Sequence, residues 1–151
     1  MRVIFLDIDG VLNTHLTPTR WSDKHSHLLA MDQDKVFLLN NMVDKHGFQV
    51  VLSSSWRIDK DWRGAMKANG LVFDFLDCTP DYQLSTGRGT EIKAWMDMWA
   101  TDHPEDPIER CAIIDDDTSM RPEQLDNFFR CFWGVGLTEK MAGDIEKHLL
   151  K

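Results

Sequence analysis

Cysteine is scarce in this chain: Cys78, Cys111 and Cys131 are the only three, and no C-x-x-C spacing occurs. An odd number without that spacing argues against a disulfide framework and against a zinc site. Reduced, buried thiols are the expectation, and with them a cytoplasmic protein. Basic residues are also in short supply, 17 Lys and Arg against 25 Asp and Glu, for a net charge of −8. Broad, sequence-blind nucleic-acid binding needs a basic face, so the charge argues against that class. It does not argue against contact with a nucleic-acid end through a few local Arg or Lys. Long apolar runs are missing too. The N-terminal "VIFL" is followed at once by charge, so it reads as neither a signal peptide nor a membrane span. No repeat or low-complexity tract is present.

What is present suffices for one core. With 151 residues, 42% of them hydrophobic, the chain has the length of one ordinary domain spanning residues 1–151. Apolar runs of strand length alternate with helical patterns. Strands are expected at 2–8, 48–53, 71–76, 111–115 and 131–135. The spacing of Val36, Leu39, Met42 and Val43 predicts a helix over 34–47, with Gly47 as its stop. Further helices are expected at 59–69, at 89–100 with Ile92, Trp95, Met96 and Trp99 inward, after Pro122, and from the Thr138 cap to about Leu150. Strict β-α alternation implies an α/β fold, a parallel sheet with helices on both faces. Ligands bind such sheets at the carboxyl ends of the strands.

The chemistry is concentrated there. The first strand ends in Asp7-Ile8-Asp9-Gly10, and two carboxylates that close repel each other. The second ends in Ser53-Ser54-Ser55 followed by Trp56-Arg57, and the fourth in Asp115-Asp116-Asp117. Arg88 stands just before a predicted helix. Oxygen ligands from Asp7, Asp9 and Asp115 suit a hard cation such as Mg²⁺, which offsets the repulsion.

At these residues the sequence resembles the haloacid dehalogenase-like (HAD) phosphatase superfamily. "VIFLDIDGVLN" resembles its first motif, "VVLSSSWR" its second and "AIIDDD" its fourth, and Arg88 stands where the third motif has Lys or Arg. More narrowly, "SSSWR", "RGTEIKAW", "IIDDD" and "GLTEKMAGDIEKHL" resemble the HAD domain of Swiss Army Knife RNA repair proteins. The fourth-motif region also resembles the phosphatase domain of polynucleotide kinase-phosphatases. The resemblance implies a three-layer Rossmann-like fold with a central five-stranded parallel sheet. It implies a Mg²⁺-dependent phosphatase in which Asp7 is the nucleophile and forms an aspartyl-phosphate. Asp9 is then the general acid/base, with its main-chain carbonyl on the metal. Ser54, or Ser53 as its rival, orients the phosphoryl group, and Arg88, or Lys93 deeper in the helix, neutralises charge. Asp115 is a metal ligand; Asp116 is a ligand, directly or through water, or orients Arg88 or Ser54. Gly10, Ser53 and Arg57 are expected around the substrate, although Arg57 reads equally well as a solvated helix residue.

Other features have plainer readings. Ser55 and Asp117 read as helix caps. His25 and His27 lack a third ligand and read as surface residues. Trp95 and Trp99 at helical spacing read as core. Residues 14–33 and 58–87 are too short for a second domain, so a capless or minimally capped, open site is expected. An open site suits a phosphate on something large, such as an RNA or DNA end, with Arg20 and Trp21 over the entrance. Two other readings stay open: a phosphatase for a small nucleotide or sugar phosphate, and a Mg²⁺-binding module without turnover. A response-regulator receiver would need its acceptor at the third strand, where Asp77 is the only candidate, and a Lys at the fifth, which has none. No membrane partner is expected, and the oligomeric state is open.

Overall fold

Alternation along the first strand sets the layers. Val3 and Phe5 pack with one core cluster, Ile4 and Leu6 with the other, and all four are fully buried. A strand apolar on both sides needs helices on both faces. The computed structural model supplies them and describes residues 1–18, 30–83 and 86–151. The strands are β1 (Arg2–Leu6), β2 (Gln49–Leu52), β3 (Asp77–Cys78), β4 (Arg110–Asp115) and β5 (Phe128–Arg130). The α-helices are α1 (Gln33–His46), α2 (Trp62–Ala68), α3 (Arg88–Asp102) and α4 (Glu139–Leu150). All strand pairs are parallel, in the order β3-β2-β1-β4-β5.

Helix α3 covers one face, where Ile92 and Trp95 pack on Val3, Phe5, Val51 and Ile113. Helices α1, α2 and α4 cover the other. The buried stripe of α1 is Val36, Leu39, Met42 and Val43, the four predicted, and Gly47 ends the helix in the left-handed region at φ 66°. Thr138 caps α4 by accepting from the Met141 N–H at 3.2 Å. Trp95 is core, and Trp99 stacks on it, half-buried, with ring centroids 5.3 Å apart. Among the described residues, no helix is long and apolar enough to cross a membrane.

Two strands differ from expectation. Residues 71–76 do not join the sheet as a strand; pairing begins only where Leu76 N–H reaches Val50 O, and β3 is Asp77–Cys78. The aromatic run packs instead over α2, with Phe75 edge-on to Trp62 at 5.4 Å. The fifth strand lies at Phe128–Arg130 rather than 131–135, because the short 3₁₀ helix Pro122–Asn127 delivers the chain straight to β4. Of the predicted helix at 59–69, Trp62–Ala68 forms α2, and a separate 3₁₀ turn at Ser55–Ile58 precedes it.

The chain runs β1-β2-β3 outward on one side, then crosses to β4-β5 on the other. The switch point lies between β1 and β4, the strands that carry Asp7 and Asp115 at their carboxyl ends.

Candidate active site

Asp7 continues the sheet, its N–H donating to Ile114 O at 3.0 Å, so its side chain is fixed at the switch point and only 5% of the residue is exposed. The chain then turns sharply: the Val11 and Leu12 N–H groups both return to Ile8 O. Gly10 makes this turn at φ 81°, and a Cβ there would collide with the Asp116 carboxylate and lie 3.0 Å from the Trp133 ring. The turn swings Asp9 away from Asp7. Asp9 Oδ1 accepts from Asn13 Nδ2 at 2.9 Å and from Trp56 Nε1 at 3.0 Å.

Asp115 is fully buried at the end of β4; its Oδ1 accepts from Asp117 N–H at 2.9 Å. Oxygens of Asp7, Asp115 and Asp116 all lie within 4.8 Å of one another. Arg88, the first residue of α3, places Nε 3.3 Å from Asp115 Oδ2 and Nη2 4.0 Å from Asp7 Oδ1. Its position is fixed by the loop after β4, where Ser119 Oγ accepts the Arg88 N–H at 3.0 Å.

Three carboxylates against one guanidinium leave a charge deficit. Burial pushes Asp7 up to about 7, despite Arg88, the Ile8 N–H and the Ser54 hydroxyl, while the Asp116 charge adds to the rise. Burial, then repulsion from Asp7, pushes Asp115 up to about 9. Asp115 Oδ2 is buried with no hydrogen-bond partner. An all-oxygen, electron-rich and under-satisfied cluster has the donor chemistry of a site for a hard divalent cation. The residues therefore fit such an ion, with Asp7, Asp115 and Asp116 as the carboxylates in reach; the Asp9 carboxylate is not in that group.

The hydroxyls separate cleanly. Ser54 is the hydroxyl that acts to lower Asp7, and its Oγ accepts from Trp56 N–H at 3.4 Å. Ser53 Oγ is buried without a partner. The cap expected of Ser55 is supplied by Ser54, and Ser55 itself is exposed. Lys93 is turned away, paired with Asp97 at 2.6 Å one helical turn on. Asp117 caps no helix: its Oδ1 accepts from Ser119 N–H at 2.7 Å in the loop after β4, and the next 3₁₀ helix has Arg121 at its N-cap. Asp77 accepts from Trp95 Nε1 at 2.7 Å and sits at the sheet edge as a structural residue. Arg20, Trp21, His25 and His27 lie outside the described residues.

Arg57 is not a solvated helix residue. Its side chain is 6% exposed and donates to Ser54 O at 2.7 Å and to Glu91 Oε2 at 2.9 Å. Glu91 was not anticipated. It is buried, faces Arg88 at 3.7 Å and accepts Tyr82 N–H at 3.0 Å, so one carboxylate holds both arginines. The available signal was its place one turn after Arg88 on α3. These residues wall a cavity of about 570 Å³ that Ser55, Ile58 and Asp117 also line.

The strand order, and acidic residues at the ends of its two central strands, define a three-layer Rossmann-like domain of the HAD type. The chain belongs to the family of HAD domains in Swiss Army Knife RNA repair proteins, whose model matches residues 3–142. It is also similar to a chain in a solved structure described as "Structure of the Pnkp1/Rnl/Hen1 RNA repair complex", with 14% identity and a TM-score of 0.51. The match covers 88% of this chain and 43% of that one, so this chain spans under half the length of that relative. At that identity the likeness is one of fold. A comparison with curated proteins gave no match.

Proposed function

We propose that this chain is a Mg²⁺-dependent phosphomonoesterase that works through an aspartyl-phosphate on Asp7, on a phosphorylated polynucleotide end. The observation that carries this reading is the convergence of Asp7, Asp115 and Asp116 within 4.8 Å, with Arg88 against two of them. Asp7 attacks phosphorus, forming a P–O bond as the ester P–O bond breaks. Asp9 gives a proton to the leaving oxygen. It then takes one from the water that attacks the same phosphorus, freeing Asp7 and inorganic phosphate. Both N–H donors on Asp9 go to Oδ1, so Oδ2 is the oxygen that exchanges the proton. Ser54 and Arg88 hold the phosphoryl oxygens. Bound Mg²⁺ supplies positive charge that lets the phosphoryl group and the carboxylates share one pocket.

The substrate class rests on two supports. The family is defined by RNA repair proteins. Among the described residues, no cap domain covers the carboxylates: α2 and β3 are the elements between the 3₁₀ turn at Ser55–Ile58 and α3. A small nucleotide or sugar phosphate is the second reading, because a cavity of about 570 Å³ is the size of a small-ligand site.

The test compares a phosphorylated oligonucleotide with the matching mononucleotide and a sugar phosphate, in Mg²⁺ and in excess chelator. Higher kcat/KM on the oligonucleotide, abolished by chelator, is the expected result. A sugar phosphate or mononucleotide as the better substrate replaces the polynucleotide reading with the second one. Full activity in chelator removes the metal assignment.

A further inference from the structure

Because β5 ends at Arg130, the residues predicted as the fifth strand instead put three large apolar side chains on the surface. Phe132 is 57% exposed, Trp133 41% and Val135 54%. They adjoin the carboxylates: the point where a Gly10 side chain would start lies 3.0 Å from Trp133 Cε3 and 2.7 Å from Asp116 Cγ. The indole and the acidic cluster therefore border the same glycine.

The loop is also fixed in place. Val135 and Gly136 N–H both donate to Phe132 O at 2.8 Å, and Leu137 N–H donates to Val11 O at 2.8 Å, in the turn that carries Asp9. Gly136, at φ 69°, packs so closely that a Cβ would meet Val11 O at 2.7 Å. An aromatic surface held this way loses little freedom on binding. A cation accompanies it, with Arg130 Cζ 4.7 Å from the Phe132 ring centroid. His15 lies against the other side of the loop, its Cε1 3.4 Å from a Cβ position on Gly134.

We propose that Trp133, with Phe132 and Arg130 beside it, is a stacking platform for the nucleobase next to the phosphate that this site hydrolyses. The proposal rests on the polynucleotide-end reading above. Exposed aromatic rings with a neighbouring Arg are what single-stranded ends bind, base on ring and phosphate on guanidinium. The net charge of −8 disfavours a long nucleic-acid footprint, so recognition is confined to the terminal one or two nucleotides. A sugar phosphate has no base with which to use the platform.

The test measures kcat/KM for a phosphorylated oligonucleotide and for the same oligonucleotide with an abasic residue at the phosphorylated end. The wild type should prefer the base-bearing end about tenfold, in line with one stacked base. Trp133→Ala should bring that ratio close to one, and Trp133→Phe should keep part of it. Each ratio is taken within one variant, so an incompletely folded preparation does not distort it. A wild-type ratio of one, or a ratio that survives Trp133→Ala, overturns the platform and leaves the polynucleotide reading standing. Failure to hydrolyse either oligonucleotide, with or without activity on a small aryl phosphate, removes both.

Discussion

Asp7 and Asp9 are two positions apart and differ in everything that matters for their chemistry. Asp7 is buried and shares its pocket with Asp115 and Asp116. Asp9 is half-buried and held through one oxygen by Asn13 and Trp56. Asp7→Asn should abolish turnover of a phosphomonoester, because an amide cannot form the acyl phosphate. Asp9→Asn should slow turnover by about 10²–10⁴-fold, the usual effect of losing a general acid/base. Steady-state assays on purified, folded variants check both. Glu91 makes a different kind of prediction. It neutralises Arg57 and Arg88 inside the protein, so Glu91→Gln should cost about 3 kcal/mol, the effect of breaking a buried ion pair. Urea unfolding measures that cost, and an unchanged midpoint would show that the pair is not needed for stability. The acidic pairs were legible in the sequence because they interrupt apolar strands. Glu91 and Asn13 were not, because a glutamate on a helix and an asparagine in a turn look solvated until the fold shows what they face.

The elements legible in the sequence were those with a full period. The stripe of α1 and the alternating strand β1 are where the pattern put them. The short edge strands were not, because β3 is two residues long and β5 three, too few to show a period of two. There the apolar runs 71–76 and 131–135 drew the assignment, although Phe75 packs against Trp62 of α2 and Phe132, Trp133 and Val135 remain exposed. The central layer makes its own prediction. Phe5 is fully buried and meets Trp95 edge-on at 5.5 Å, joining β1 to α3. Phe5→Ala should destabilise the protein by about 3–5 kcal/mol, from lost burial and the cavity left behind. A loss within about 0.5 kcal/mol, the range for surface changes, would mean that this interface does not support the fold.

At the scale of the whole molecule, the site sets acid stability against metal stability. Asp7 and Asp115 have folded-state values raised to about 7 and about 9, so the metal-free folded protein holds protons that the unfolded chain releases. That contribution is complete below the unfolded value of 3.8 and is lost as pH rises through about 7 and then about 9. In chelator, the Tm should therefore fall as pH rises across this window. Added Mg²⁺ should restore it, more so at higher pH, because the ion replaces the protons. Thermal melts at several pH values with and without Mg²⁺ check both trends; a Mg²⁺ effect that shrinks with pH would count against this cluster as the site. The proposed covalent catalysis by Asp7 in a Mg²⁺-dependent site is tested directly by trapping the intermediate. Asp9→Asn protein is mixed with Mg²⁺ and a phosphorylated oligonucleotide, quenched in acid and mapped by mass spectrometry. A phosphoryl group on Asp7, absent in chelator and absent when Asp7→Asn is added, is the expected result. A phosphoryl group on another residue, or wild-type turnover by Asp7→Asn alone, would contradict it.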